Sequence, residues 1–281
     1  SQSKRRMTPY WPKRLDRMFP VVGTAVSLQT PTDHISSIAE EHETPVRVIC
    51  VPKTLKGPRV IAAEPAAMQF CQQSLLDHVE SKLRKIYPQF LDLRDQTRNQ
   101  RLSYNLACAT LDLSEASDRV HGALVYLMLD SCPVLRDMSF ACRSTKAELP
   151  DGTVVPLQKF ASMGSALCFP YESMVFFTIV LLGILGNRPI HHARQVLKDL
   201  DGKCSIYGDD IIIPVEYASA VIDGLETFGL RVNRDKSFWT GKFRETCGSD
   251  TYDGVDVTPL YCRRPIAACD PDSVVSHANL A

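Results

Sequence analysis

The residues of this chain most suited to chemistry are two adjacent carboxylates in the string Tyr207-Gly208-Asp209-Asp210. Apolar runs at 204–206 and 211–213 flank the string, a pattern that predicts a β-hairpin with the acidic pair at or next to its tip. Adjacent like charges beside apolar strands are unfavourable unless a cation neutralises them. Because Mg²⁺ prefers carboxylate and phosphate oxygens, the pair predicts one half of a metal site for phosphoryl chemistry. A surface turn, in which Asp and Gly are common, is the alternative interpretation.

A second acidic group lies far upstream, in the segment 112–118. The apolar run before it predicts a strand that ends at Asp112. The apolar residues after it are spaced as one face of a helix: Val120, Leu124, Leu127 and Met128. Ser114 or Ser117 is the predicted cap of that helix. Helix capping explains Ser117 and Asp118, but it leaves Asp112 without a structural role.

The elements that position these residues belong to a chain of 281 residues with zero formal net charge, long enough for a sizeable core. Residues 1–105 hold 16 Lys and Arg against 10 Asp and Glu, and the remainder holds the compensating acidic surplus. This asymmetry suits a protein that holds phosphates with one part and metal ions with another. The ten cysteines lack C-x-x-C spacing, which predicts reduced thiols rather than a disulfide framework.

The sequence predicts neither a signal peptide nor a membrane-spanning helix. The first residues are basic and polar, unlike a secretory signal. The longest apolar stretch, residues 174–186, is shorter than the ~20 residues that a bilayer requires. We therefore expect this stretch to form a buried helix that ends before Pro189.

Three further segments could bind a charged substrate. In residues 46–65, two strand-like pieces flank a turn and carry several cations, which suits either a triphosphate or a solvated hairpin. The Ser/Gly-rich loop 160–165 precedes an apolar helix and could offer N–H groups to a sugar or phosphate. Glu172, inside that helix, either faces solvent or pairs with a basic residue. Lys236, on a turn into a strand, could donate a proton or simply be solvated.

Taken in order, these segments resemble an RNA-dependent RNA polymerase, and most closely the replicases of the small single-stranded RNA bacteriophages, the leviviruses. The matching stretches run from about residue 45 to residue 265: VPKTLKGPRVIAAEP, DQTRNQ, ATLDLSEASDRV, SMGSA, SIYGDDIIIP and GLRVNRDKSFWTGKFRETCGSDTYDGVDVTPLY. Several motifs in one order are far more specific than any single motif.

The resemblance implies catalytic roles for four residues. Asp112, Asp209 and Asp210 match the family's metal-binding acids, which implies two Mg²⁺ or Mn²⁺ ions as cofactors. Lys236 matches a lysine that protonates pyrophosphate.

The resemblance also implies that eight residues bind substrate: Lys53, Lys56, Arg59, Ser117, Asp118, Ser162, Gly164 and Glu172. The three cations match the motif that lines the path of the incoming nucleotide, and the serine and glycine of 162–165 match a flexible loop. Ser117 or Asp118 matches the ribose sensor, and the choice stays open because the spacing from Asp112 is one residue longer than in many RNA polymerases. Glu172 stands where many viral polymerases carry an asparagine for 2′-hydroxyl selection.

The fold implied by the resemblance is of class α+β, a right-hand polymerase with an antiparallel palm sheet and flanking helices. Residues 1–105 would be mainly fingers, and 106–261 mainly palm, with 142–159 as a fingers-side excursion. Residues 243–261 would grip the primer end, and 262–281 would start the thumb. Because family members are considerably longer, we expect the fingers to be partly present and the thumb to be largely missing.

The implied activity is replication of a single-stranded viral RNA genome by two-metal nucleotidyl transfer from NTPs. Template and product RNA would be partners, and so would host elongation factors Tu and Ts and a ribosomal protein, in the cytoplasm of an infected bacterium and without a membrane. Two alternatives remain. A reverse transcriptase-like polymerase shares the paired-Asp hairpin but usually lacks the preceding glycine. A truncated, non-catalytic RNA- or nucleotide-binding fragment is the other.

Overall fold

The structure, a computed structural model, describes residues 10–21, 36–54 and 57–259. The strands within these residues are β1 (Tyr10–Pro12), β2 (Ser36–Ile38), β3 (Val46–Thr54), β4 (Gly57–Ala63), β5 (Cys108–Leu111), β6 (Lys146–Glu148), β7 (Val154–Pro156), β8 (Ser205–Tyr207), β9 (Asp210–Pro214), β10 (Phe243–Thr246), β11 (Ser249–Tyr252) and β12 (Val255–Asp256). The helices are α1 (Lys13–Met18), α2 (Ala66–Ile86), α3 (Thr97–Ser103), α4 (Ala116–Arg119), α5 (Gly122–Met128), α6 (Pro133–Ala141), α7 (Cys168–Leu185), α8 (Ala193–Asp199) and α9 (Ala218–Thr227).

The central sheet has the order β5-β9-β8, and both pairings are antiparallel. Ile211, Ile212 and Ile213 of β9 are fully buried, so neighbouring elements cover both faces of this strand. The predicted hairpin around the acidic pair is therefore confirmed, and so is the predicted strand that ends before Asp112. The mixture of helices with antiparallel sheets confirms the α+β class.

Helix α7 packs against the central sheet through β8. It contacts α5, α8, α9 and β8. Its length and composition would allow a membrane span, but 67% of its apolar window is buried inside the protein. Packing in the core therefore accounts for its apolar composition, and the prediction of a buried helix over 174–186 is confirmed with an earlier start at Cys168.

A second sheet has the order β4-β3-β6-β7. Strands β3 and β4 form the antiparallel hairpin that the sequence predicted, with Ile49 opposite Ile61. Strand β6 runs parallel to β3, with Val46 opposite Ala147. The segment 142–159 thus joins the sheet of the basic hairpin rather than the central sheet.

A third sheet, β10-β11-β12, is tied to the central sheet by the side chain of Arg244. This side chain is only 1% exposed, and its burial lowers the pKa of the guanidinium. Its nitrogens donate hydrogen bonds to five backbone carbonyls: those of Cys108, Leu106, Thr240, Gly241 and Phe243. One buried cation thereby joins the start of β10 to the start of β5.

The segment after Asp112 differs from the prediction. Glu115 adopts a left-handed φ of 54°, and the chain then forms two short helices, α4 and α5, instead of one. Neither Ser114 nor Ser117 caps the second helix, because His121 fills that position with its imidazole. Leu127, predicted on the buried face, is 70% exposed. The break between the helices interrupts the helical period on which those predictions depended.

Replacing Arg244 with Met should lower the free energy of unfolding by at least about 3 kcal/mol, because several buried carbonyls lose their donor. Urea denaturation measures this loss. Lys242→Met is the matched control, since Lys242 forms a surface ion pair with Asp253, and such pairs contribute about 0–1 kcal/mol. Equal losses in the two variants would contradict the role assigned to Arg244.

Candidate active site

Strand pairing brings the two distant acidic groups together. Leu111 of β5 lies opposite Ile211 of β9, so continuing this register by one residue sets Asp112 opposite Asp210. Opposite residues of an antiparallel pair have Cα atoms about 4.5–5.5 Å apart. Asp209 precedes Asp210 in the hairpin turn, so three carboxylates meet at one edge of the central sheet.

The Asp112 carboxylate is half-buried and held by the segment after α9. Its Oδ2 accepts a hydrogen bond from Asn233 Nδ2 at 2.8 Å, and its backbone N–H donates to Ser237 Oγ at 3.0 Å. Burial raises the pKa of Asp112 to about 6, against the Asn233 hydrogen bond and with the help of the negative charges of Asp209 and Asp210. Asp112 is therefore the acid whose charge is most costly in this cluster and the one that a cation would stabilise most.

The Asp210 carboxylate faces the turn between β10 and β11. Its Oδ1 accepts hydrogen bonds from the Cys247 backbone N–H at 3.1 Å and from Thr246 Oγ1 at 3.2 Å. Burial raises the pKa of Asp210, and the hydrogen bond from Cys247 opposes that rise. Asp210 therefore keeps its other oxygen, Oδ2, for a further ligand.

Asp209 and Lys236 complete the charged edge. Asp209 is exposed, and no described residue forms a hydrogen bond or ion pair with its side chain. Lys236 Nζ lies 3.4 Å from Glu245 Oε1. Although partial burial acts in the opposite direction, Glu245 and then Asp112 raise the pKa of Lys236, so this lysine is a cation beside the acidic cluster.

The hairpin tip rests on the first turns of α7. Gly208 has a left-handed φ of 62°, as expected for a glycine at the first central position of a two-residue turn. A Cβ at this position would overlap the Phe169 ring. The Gly208 N–H donates to Ser173 Oγ at 3.0 Å, and the Phe169 ring packs edge-on against Tyr207. Glycine is thus required here by both conformation and space.

The donor set suits a hard divalent cation. Carboxylate oxygens are the ligands that Mg²⁺ and Mn²⁺ favour, and Asp112, Asp209 and Asp210 each retain an oxygen without a hydrogen bond. No group of three or more His, Cys, Asp or Glu side chains in the described ranges is already arranged to hold a metal ion. The side chains of Asp112 and Asp210 instead use one oxygen each on hydrogen-bond donors.

Asp118 and Ser117, the two candidates for the ribose sensor, have different environments. The Asp118 side chain is 50% exposed, and it accepts a hydrogen bond at 2.6 Å from Lys159 Nζ. Ser117 is buried inside α4. Asp118 is thus the more accessible of the two from the protein surface.

Glu172 does not face solvent, and it pairs with no basic residue in the described ranges, so the structure supports neither interpretation of this residue. It is 7% exposed, and its contact is a long hydrogen bond from Cys168 Sγ at 3.9 Å. Burial raises the pKa of Glu172 to about 8, and the negative charge of Asp209 adds to the rise. An uncharged carboxylic acid therefore lies beneath the acidic hairpin.

The Ser/Gly loop packs against the elements of the basic hairpin. The Met163 carbonyl accepts a hydrogen bond from the Ala62 N–H of β4 at 2.7 Å. Gly164 has a φ of 115°, and a Cβ there would overlap the Ala62 carbonyl. Ser162 is buried, and Ser165 Oγ bonds Gln72 of α2 at 3.0 Å. The loop therefore connects the β3–β4 hairpin to the start of α7.

The basic hairpin is described only in part. Arg59 is exposed on β4, opposite Val51. Lys56 lies outside the described residues, and so does the side chain of Lys53. Of the three predicted cations, Arg59 alone is placed by the described side chains, on a strand that contacts the Ser/Gly loop.

Comparison with known proteins identifies the family. The family model described as "RNA replicase, beta-chain" matches residues 16–275. The chain belongs to this family.

The RNA replicase beta-chain relatives are longer proteins. The RNA-directed RNA polymerase subunit beta of Enterobacteria phage SP is 38% identical over 241 residues, which cover 83% of this chain and 39% of that protein. Other relatives are covered to a similar extent. The chain thus spans less than half the length of the relatives it matches.

Solved structures confirm the predicted polymerase fold. The RNA-dependent RNA polymerase of a human picorbirnavirus matches with a TM-score of 0.57 and 12% identity, over 84% of this chain and 52% of that one. A telomerase from Candida tropicalis matches with a TM-score of 0.50 and 11% identity, over 76% of this chain and 55% of that one. Similarity at this level of identity shows the fold alone. The substrate has to be inferred from the residues of the site.

Sequence reasoning missed several residues that hold the acidic side chains of this site. Asn233, Thr246 and Cys247 donate to the carboxylates, and Lys159 pairs with Asp118. All of them except Lys159 lie in stretches that resemble the family. These donors carried no signal in the sequence, because a polar side chain that holds a carboxylate does not differ in type from one that is solvated.

Glu172→Gln should stabilise the protein at pH 9 more than at pH 5, by about 1 kcal/mol or more, since one pKa unit corresponds to about 1.4 kcal/mol. Between the usual value of 4.5 and the folded value of about 8, the folded chain keeps this proton and the unfolded chain loses it. Wild-type stability therefore falls as the pH rises through this window, and the glutamine removes that fall.

Urea denaturation at both pH values measures the difference between wild type and Glu172→Gln. The exposed Glu41→Gln is the matched control for charge removal. A Glu172→Gln difference that is the same at pH 5 and pH 9 would contradict a buried acid at this position.

Proposed function

We propose that this chain carries the catalytic centre of an RNA-directed RNA polymerase that replicates a single-stranded phage RNA genome from NTPs. One observation carries the proposal: Asp112 and the pair Asp209 and Asp210 meet at one edge of the β5-β9-β8 sheet, in a member of the RNA replicase beta-chain family. Template RNA, product RNA and NTPs are the proposed partners.

Asp112, Asp209 and Asp210 would hold two Mg²⁺ or Mn²⁺ ions. When bound, such ions activate an attacking hydroxyl and stabilise the charge on a leaving group. Asp112 directly follows β5, Asp209 lies in the turn between β8 and β9, and Asp210 begins β9. Asn233 holds Asp112, and the β10–β11 turn holds Asp210, so the ligands are oriented before the substrate arrives.

Cationic side chains would neutralise the negative charge of the triphosphate. Arg59, with Lys53 and Lys56, would pair with the triphosphate, for which a guanidinium offers two parallel hydrogen bonds. Lys236 keeps its proton at neutral pH, because neighbouring acids raise its pKa. It could therefore protonate the departing pyrophosphate.

Ribose recognition would fall to Asp118. This carboxylate is half-exposed and oriented by Lys159, whereas Ser117 is buried. Ser162 and Gly164 would place the loop beside the nucleotide, and the buried Glu172 would lie beneath them. Base pairing with the template selects the base, so the protein reads RNA through the backbone and the 2′-hydroxyl.

The domain division and the wider partners follow from the same proposal. Residues 1–105 would be mainly fingers, 106–261 mainly palm and 262–281 the start of the thumb. The strands of 142–159 support a fingers-side excursion, because they extend the β3–β4 sheet. Host elongation factors Tu and Ts and a ribosomal protein are proposed partners in the cytoplasm of the infected bacterium.

Asp209→Asn should reduce nucleotide incorporation by at least about 10²–10³-fold, the usual effect of losing one well-placed electrostatic group. Template-directed extension of an RNA primer by the purified 281-residue chain measures the rate. Asp223→Asn, at an exposed position on α9, is the matched control and should extend normally. Extension by wild type together with normal extension by Asp209→Asn would refute the catalytic assignment.

The same assay decides whether the chain is a non-catalytic fragment. Wild-type chain that binds primer and template without extending them would favour the non-catalytic fragment.

Lys159→Met should lower the preference for NTPs over dNTPs roughly tenfold, because the freed Asp118 no longer points at the 2′-hydroxyl. The ratio of kcat/KM for the two substrates measures this preference. Arg119→Met is the matched control, since it removes another ion pair of α4, with Glu115. A ratio that falls equally in both variants would contradict the role of Lys159, and a wild-type preference for dNTPs would favour a reverse transcriptase-like polymerase.

A further inference from the structure

One of the stretches that resemble the family, DQTRNQ at 95–100, has no part in the proposed chemistry. It includes the start of α3, and this helix contacts β5, β8, β9, β10 and β11. Helix α3 therefore lies between the hairpin that carries the acidic pair and the β10–β11 hairpin, which belong to different sheets.

Two consecutive side chains of α3 contact these two hairpins. Asn99 Nδ2 donates to the backbone carbonyl of Asp210 at 3.1 Å. Gln100 Nε2 donates to the backbone carbonyl of Cys247 at 3.0 Å. Both bonds have good geometry, and each fixes the main chain of a residue at the acidic cluster.

The two hairpins also bind each other directly. The Cys247 N–H and Thr246 Oγ1 both donate to Asp210 Oδ1. Cys247 adopts a left-handed φ of 48°, which is uncommon outside glycine and costs free energy. This conformation belongs to the two-residue turn of Cys247 and Gly248 that directs the N–H toward the carboxylate.

These bonds form a closed cycle. The first bond joins the Asn99 side chain to the Asp210 carbonyl, and the second joins the Asp210 carboxylate to the Cys247 N–H. The third joins the Cys247 carbonyl to the side chain of Gln100, which is the residue next to Asn99. Asn99 is completely buried, and its Oδ1 has no hydrogen-bond partner in the described part of the chain. An apolar residue would fill such a site at lower cost, so the amide is retained for its one bond to Asp210.

We propose that Asn99 and Gln100 are positioning residues that fix the Asp210 carboxylate against the β10–β11 hairpin and thereby set the affinity of the acidic cluster for a divalent cation. The inference rests on the proposed function, because it takes Asp210 as a metal ligand. It adds that the hairpin proposed to grip the primer end and the metal ligands share one hydrogen-bond cycle, so a shift of this hairpin changes the orientation of Asp210.

Binding of Mn²⁺ to the 281-residue chain, followed by electron paramagnetic resonance, tests this without requiring activity. Gln100→Met keeps the size of the side chain and removes its donor. We expect the Mn²⁺ dissociation constant to rise about 3- to 10-fold, less than the 10- to 100-fold typical when a residue that directly supports a metal ligand is lost. Thr246→Val, which removes a direct bond to Asp210, should raise the dissociation constant about tenfold.

Two matched controls separate positioning from stability. Thr251→Val removes the hydrogen bond of Thr251 Oγ1 to the Ser103 carbonyl at 2.9 Å, a second link between α3 and the β10–β11 hairpin that does not involve Asp210. This variant should lose stability and keep the Mn²⁺ affinity. Arg101→Met, at an exposed position of α3, should change neither quantity.

Hydrogen exchange supplies a second measurement at the same site. The Cys247 amide should exchange faster in Gln100→Met than in wild type, and at the wild-type rate in Arg101→Met.

The outcomes distinguish this inference from the proposed function. Wild-type Mn²⁺ binding that Asp209→Asn weakens and Gln100→Met leaves unchanged would overturn the inference alone. Equal weakening by Gln100→Met and Thr251→Val would also overturn it, since general destabilisation would then explain both. A wild-type chain that binds no Mn²⁺ would overturn the inference and the proposed metal centre together.

Discussion

The antiparallel pairing of β5 with β9 is the interaction on which the site depends. It brings Asp112 to Asp209 and Asp210, and two like unit charges at a separation of about 5 Å would repel by roughly 3 kcal/mol at an effective dielectric constant near 20. Each fully buried aliphatic side chain on these strands contributes about 1.5–3 kcal/mol. Leu111 and the three isoleucines of β9 together outweigh the repulsion, so the apolar strands hold the acids in place.

Hydrogen-bond donors from later parts of the chain stabilise the carboxylates that this pairing brings together. Asn233 follows α9, and Thr246 and Cys247 form the tip of another sheet. Each donor binds one oxygen of one carboxylate. The hydrogen bonds therefore stabilise the negative charges of the cluster and still leave oxygens that can bind a cation. The same arrangement leaves one oxygen each of Asp112 and Asp210 without a donor, beside the exposed Asp209.

Strain and buried polarity concentrate around this edge. Gly208 and Cys247 both adopt left-handed conformations at hairpin tips, and Glu172 is buried without a basic partner in the described ranges. Helix α7 supplies both the acid and the serine that binds the Gly208 N–H. Features of this kind lower stability and persist where a site needs fixed geometry, which agrees with their position around the acidic residues.

Local pattern determined much of this protein. Alternation of apolar and turn residues predicted the hairpin around Asp209 and Asp210, the strand before Asp112 and the buried helix α7, because these depend on residues close in sequence. The order of the motifs predicted the polymerase family. Pattern failed after Asp112, where the extended backbone at Val120 separates α4 from α5, and at Glu172, whose surroundings come from distant segments. The donors at Asn99, Gln100 and Cys247 were decided by tertiary structure alone, since a hydrogen bond between residues that are 37 to 147 positions apart leaves no local periodicity to read.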